Sequence, residues 1–156
     1  MRVEIWIIED TPTVARGLSA RLARKFPEAA VRSVVGRDGS DTYHQFTRAK
    51  IGPEAILIVD GLNGYHRQVL ADHDGPAVVF TGEARKISAP EGVPVYTKAG
   101  EEEPLFKRIT ELVKDRQEGI DMERSAIQDL VRYMRTVPPA VSGTDGWHID
   151  VLRGLL

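Results

Sequence analysis

Residues 53–61 read PEAILIVDG, and the four apolar residues Ile56–Val59 run without a break into Asp60 and Gly61. A strand buried on both faces reads as a continuous Val/Ile run, whereas a strand with one wet face alternates apolar and polar residues. Working outward, similar runs lie at 3–8 (VEIWII), 30–35 (AVRSVV), 77–80 (AVVF) and 93–96 (VPVY), each ending at a polar residue or glycine. The segments between them carry helical spacing instead. Val14, Leu18, Leu22 and Phe26 fall four apart and stack on one helix face, with Pro12 suited to a first turn, where its missing N–H costs nothing. A weaker helix is expected over 41–50, with Tyr43, Phe46 and Thr47 on one side, and a short one over 65–71. Leu105, Phe106, Ile109, Leu112 and Val113 form an apolar stripe opened by Pro104, and the acids at 101–103 favour the positive end of that helix dipole.

Five such strands alternating with helices imply a parallel sheet covered on both faces, and right-handed crossovers make it a doubly wound α/β sandwich. One connection is too short for a crossover helix. Residues 82–92, between Thr81 and Val93, include Gly82, Pro90 and Gly92, so the fourth helix is expected to be a single turn or absent. The crossover from Asp60 to Ala77 has room for only about two helical turns.

Beyond Val113, Phe106, Val113, Ile120, Ile127 and Met134 recur every seven residues, with Ile109 and Leu130 at the companion position. Arg116 and Glu123 interrupt that companion position, Gly119 interrupts the pattern, and Asp121 could cap a fresh helix. One long helix, two helices with a break, and a helix folding back on its own domain all remain open. After Pro138 and Pro139, residues 140–146 read as loop and 147–156 as a last short amphipathic helix.

Composition narrows the function classes. The chain has 156 residues, 42% hydrophobic and 28% charged, with a net charge of −2 and no cysteine. That supports one ordinary domain with an appendage and excludes thiolate and disulfide chemistry. It lacks the strongly basic face of direct nucleic-acid binding. The first apolar run is too short for a signal-peptide core or a membrane span, so a cytoplasmic protein is expected.

In open parallel sheets ligands sit outside the carboxyl ends of the strands. Glu9 and Asp10 follow the first run, Asp60 the third, Thr81 the fourth, and Lys98 lies just beyond the fifth. Taken singly, each has a plain reading: a helix cap, a loop acid, a strand-forming threonine, a solvated lysine. Jointly they read as chemistry. Three convergent carboxylates need a cation, and an all-oxygen set with open positions suits Mg²⁺. A carboxylate can also attack phosphorus to give an acyl phosphate, with Lys98 and the Thr81 hydroxyl holding the phosphoryl oxygens.

The blocks IIED, PEAILIVDG, VVFTGE and VYTKAG resemble the four signature blocks of the response-regulator receiver domain of two-component signalling, over roughly residues 1–117. The resemblance implies a flavodoxin-like sheet of order 2-1-3-4-5, Mg²⁺ on Glu9, Asp10 and Asp60 with the Leu62 main-chain carbonyl, and phosphoryl transfer to Asp60 from a histidine kinase or phosphotransfer protein. Thr81 and Lys98 would then sense the phosphoryl group. The departures are Ala99, where many members have a cis-proline; Val95, where they have an aromatic switch; and the short fourth connection. Tyr96 is expected on the opposite side of the sheet from Val95.

The implied role is a phosphoacceptor switch rather than an enzyme. A haloacid-dehalogenase-type phosphatase needs an acid two residues after the nucleophile, where Leu62 stands; no glycine-rich turn follows the first strand, and no G-x-S-x-G is present. The alternative is a receiver-like interaction module that works without phosphorylation. Residues 118–156 are expected to be a helical extension, either an adaptor tail that forms a homodimer or docks a partner, or a lead towards an output domain. His44, His66, His73 and His148 show no metal-ligand spacing and read as surface or packing residues.

Overall fold

The computed structural model describes residues 1–137. Five parallel strands form one sheet: β1 (Glu4–Ile8), β2 (Ala30–Val34), β3 (Ile56–Val59), β4 (Ala77–Thr81) and β5 (Val95–Thr97). Their order is β2-β1-β3-β4-β5, the flavodoxin-like arrangement, with the order reversing at β1 and β3. Every residue of β3 is buried, as its unbroken apolar run requires. The edge strand β2 leaves Arg32 and Ser33 exposed, and the Arg32 guanidinium lies over the Trp6 ring.

Helix α1 (Pro12–Lys25) buries Ala15, Leu18 and Leu22. Helix α2 runs Gly39–Ala49, two residues earlier at its start than the apolar pattern indicated. The cause is a cap: Asp38 Oδ1 accepts the Asp41 N–H at 2.8 Å, and left-handed Lys50 ends the helix. Helix α3 (His66–Ala71) is short and packs on the same apolar cluster. The fourth crossover helix is missing; only a 3₁₀ turn, Ala84–Lys86, interrupts the connection from β4 to β5. Ile87, Ala89 and Val93 of that connection pack instead on the cluster formed by Val59, Leu62, Val69 and Val79. Strand β5 starts at Val95 rather than at residue 93, and the Pro94 carbonyl accepts the Val79 N–H before the strand begins.

Contacts divide the chain into two units, Met1–Arg116 and Gln117–Leu156. Helix α4 (Glu102–Thr136) is continuous across that division. Gly119 does not break it, since a helical glycine costs only about 1 kcal/mol. Asp121 is not a cap; it accepts from the Gln117 amide one turn earlier. Within α4, Leu105, Ile109, Ile120 and Val131 are buried, while Met122, Leu130 and Tyr133 are exposed. The expected loop at 140–146 and helix at 147–156 lie outside the described residues, as does His148. No helix among the described residues is long and apolar enough to cross a membrane.

Candidate functional site

The carboxyl ends of β1, β3, β4 and β5 meet at the point where strand order reverses. Parallel pairing aligns them: Ile8 lies beside Val59, Val59 beside Val79, and Thr81 beside Thr97. Backbone bonds extend that register into the loops. Asp60 N–H donates to Ile8 C=O at 2.9 Å, and Lys98 N–H donates to Thr81 C=O at 2.9 Å. The side chains of Glu9, Asp10, Asp60, Thr81 and Lys98 are thus placed by the main chain itself.

The three acids each offer a carboxylate oxygen within 4.8 Å of the others. Glu9 and Thr81 are buried, and Asp10 and Asp60 are half-buried. The Lys98 ammonium bridges two of the acids, 2.6 Å from Glu9 Oε2 and 2.7 Å from Asp60 Oδ1. The Lys98 side chain is 24% exposed, Asp60 14% and Glu9 4%, so this is no solvent-screened surface pair. Each acid is also held by main chain: Glu9 Oε1 accepts the Thr11 N–H at 3.0 Å, and Asp60 Oδ2 accepts the Leu62 N–H at 3.0 Å.

Burial pushes the Glu9 carboxyl above its usual range; the Lys98 hydrogen bond opposes this, and the nearby Asp60 charge adds to it. Burial also works against a charged Lys98, but hydrogen bonds to Asp60 and Glu9 override it and raise its pKa. Protonated lysine is therefore the counter-ion that makes two adjacent carboxylates tolerable.

A cleft of about 320 Å³ opens beside these groups, lined by Asp10, Asp60 and Thr81 together with Arg67, Lys86 and Ile87. The Thr81 hydroxyl accepts the Glu83 N–H at 3.2 Å. The three carboxylates fit a hard divalent cation such as Mg²⁺ in donor type and convergence. The Leu62 carbonyl makes different contacts: it accepts the Tyr65 N–H at 3.0 Å and lies so close to Gly39 that a Cβ there would stand 2.1 Å from it. Leu62 and Asn63 both adopt left-handed conformations, with φ of 50° and 51°. Two consecutive non-glycine residues there store backbone strain, starting two positions after Asp60.

The loop after β5 is closed without a proline. Thr97 Oγ1 accepts the Ala99 N–H, the Glu101 carboxylate accepts the Thr97 N–H, and Gly100 supplies a positive φ. Val95 packs on the same apolar cluster as the 82–93 connection.

Sequence reasoning gave no role in the site to His66, which also lines the cleft. His66 is buried, with Nδ1 2.9 Å from Gly61 O and Nε2 2.9 Å from Ser88 O. The only hint was Gly61 after Asp60, a position where a Cβ would meet Ile87 Cδ1 at 2.5 Å. Comparison with models of known protein families, with curated proteins and with solved structures finds no match.

Proposed function

We propose that this chain is the phosphoacceptor receiver domain of a response regulator, switched when Asp60 takes a phosphoryl group from a histidine kinase or phosphotransfer protein. The observation that carries this reading is the convergence of the Glu9, Asp10 and Asp60 carboxylates within 4.8 Å, with the Lys98 ammonium bonded to two of them. Bound at these acids, Mg²⁺ would supply the positive charge that lets an anionic carboxylate approach an anionic phosphoryl group.

In the transfer an Asp60 oxygen forms a bond to phosphorus as the P–N bond of a phosphohistidine breaks. The departing imidazole keeps the electron pair of that bond and takes up a proton, and Asp60 becomes an acyl phosphate. Lys98 is placed to pair with the new phosphoryl oxygens. Thr81, which lines the same cleft as Asp60, offers its hydroxyl as a hydrogen-bond donor.

Output through a second copy is part of this reading: Met122, Leu130 and Tyr133 leave an exposed apolar stripe on the Gln117–Thr136 part of α4, which suits a homodimer. A cytoplasmic location fits a kinase partner, and no helix among the described residues is long and apolar enough to cross a membrane. One observation favours a module that works without phosphorylation: Lys98 is already paired with both Glu9 and Asp60.

Incubation with Mg²⁺ and acetyl phosphate, or with beryllofluoride, separates the two. A Mg²⁺-dependent adduct that disappears in Asp60→Asn supports the acceptor. No such adduct, with Asp60→Asn behaving as wild type, sinks it.

A further inference from the structure

The peptide between Gly61 and Leu62 carries two contacts that point in opposite directions. Its N–H, from Leu62, donates to Asp60 Oδ2 at 3.0 Å. Its C=O, from Gly61, faces His66 Nδ1 at 2.9 Å. A peptide unit is planar and stiff, so its N–H cannot tilt without its C=O tilting too. The other ring nitrogen of His66, Nε2, faces the Ser88 carbonyl at 2.9 Å. Asp60 is thus joined to the connection between β4 and β5 by one line of contacts: carboxylate, peptide plane, imidazole, Ser88 carbonyl.

Other contacts concentrate on the same place. A Cβ at Gly61 would collide with Ile87, so the connection lies directly on the acceptor loop. The Arg67 guanidinium, next to His66, donates to Ser88 Oγ at 3.3 Å. His66 is 2% exposed, and both of its ring nitrogens face carbonyl oxygens, which only accept. The ring therefore holds whichever of the two its N–H donates to, and both only when both nitrogens carry a proton. The segment it grips stands where a crossover helix is missing, and its backbone has no ladder of its own beyond one 3₁₀ turn. Such a segment belongs to the low-stability end of a fold and moves readily when a contact changes.

We infer that His66 is a positioning residue that couples the state of Asp60 to residues 82–93, making that connection the element that responds to the site. This rests on the reading of Asp60 as a phosphoryl acceptor. When a phosphoryl group replaces a free carboxylate, the acceptor for the Leu62 N–H changes. The peptide plane then reorients, and the imidazole transmits the change to Ser88.

The test is hydrogen exchange of peptides from 82–93 in the full chain, with and without Mg²⁺ and beryllofluoride, in wild type and His66→Phe. Adduct formation is followed separately by ¹⁹F NMR. Phenylalanine keeps the ring and loses both polar contacts. In wild type, beryllofluoride should change exchange in 82–93 on the order of tenfold, the ordinary scale of site-to-site coupling. In His66→Phe the adduct should still form on Asp60 while exchange in 82–93 no longer responds to it. Should His66→Phe fail to fold, His66→Gln, whose amide reaches only one of the two carbonyls, should fold and show a reduced response.

An equal response in the variants, or none in wild type despite a bound adduct, overturns the coupling and leaves the acceptor standing. Absence of any Asp60-dependent adduct in wild type overturns the acceptor reading and the coupling with it.

Discussion

The ammonium of Lys98 lies 2.6 Å from Oε2 of Glu9, a carboxylate 89 positions earlier in the chain. Its second bond, to Asp60, completes a cluster in which one cation serves two acids. The cluster is mostly shielded from water, so removing the cation leaves carboxylates without compensation.

Lys98→Ala should therefore destabilise the protein by about 3 kcal/mol in the absence of divalent cations, the low end for removing one partner of a shielded pair. Added Mg²⁺ should recover much of that loss, and should stabilise the variant more than wild type. Denaturant titrations of both proteins in EDTA and in millimolar Mg²⁺ check this. Equal Mg²⁺ stabilisation of the two proteins would count against a shared charge-balancing role.

Gly39 is pressed against the Leu62 carbonyl, with no room for a methyl group. The clash is with backbone, which cannot swing aside as a side chain can. Gly39→Ala should cost about 2–3 kcal/mol, the upper range for overpacking. Its amide spectrum should show the largest shifts at residues 60–64. Shifts confined to α2 would refute the contact.

Asn63 holds a left-handed conformation that glycine adopts freely and alanine does not. Asn63→Gly should be nearly neutral, and Asn63→Ala should cost about 1 kcal/mol, measured by chemical denaturation. Equal costs for the two would mean that the backbone there carries no strain.

His73 supplies a pH dependence remote from the acidic cluster. Its Nε2 lies 2.9 Å from the Ala55 carbonyl, and burial lowers its pKa from the usual 6.5, against opposing contacts to the Ala55 and Pro76 carbonyls and the Asp74 and Glu54 charges. The folded state then binds fewer protons than the unfolded chain near that pH. Stability from this residue is present above the unfolded value and is lost as pH falls through the folded one, at up to about 1.4 kcal/mol per pH unit. Denaturation midpoints at pH 7.5 and 5.5 should differ less in His73→Gln than in wild type.

For the second unit, the absence of cysteine allows single-cysteine variants without background. Leu130 and Tyr133 are 46% and 65% exposed. If a second copy covers them, the full chain should scatter light as a dimer, and Leu130→Asp with Tyr133→Asp should scatter as a monomer. A monomeric wild type removes the homodimer.

The sequence carried the sheet and its polar strand ends because both follow from local patterns. An unbroken run such as ILIV has one plain structural meaning, and a residue directly after such a run must sit at the strand end. The missing crossover helix was legible from chain length alone, with Pro90 and Gly92 inside the short connection. What local patterns could not carry were contacts between distant segments. His66 lies 22 positions from Ser88, and nothing near either residue signals the meeting. Nor could spacing show that the Leu62 carbonyl faces Gly39, because the chain there takes a left-handed turn that leucine rarely adopts. Gly119 and Asp121 misled for the opposite reason: glycine commonly ends a helix and aspartate commonly starts one, and here the surrounding helix outweighs both.

The brevity of β5 bears on how the molecule meets its neighbours. It is an edge strand of three residues, and the residue before it, Pro94, has no N–H to give. Another chain arriving at this border would find few donors and too little length to extend the sheet. Sheet-to-sheet aggregation is discouraged at this border, and extended peptides are poor ligands for it. At this side of the sheet, contact with another molecule is left to the side chains of the neighbouring elements rather than to strand pairing.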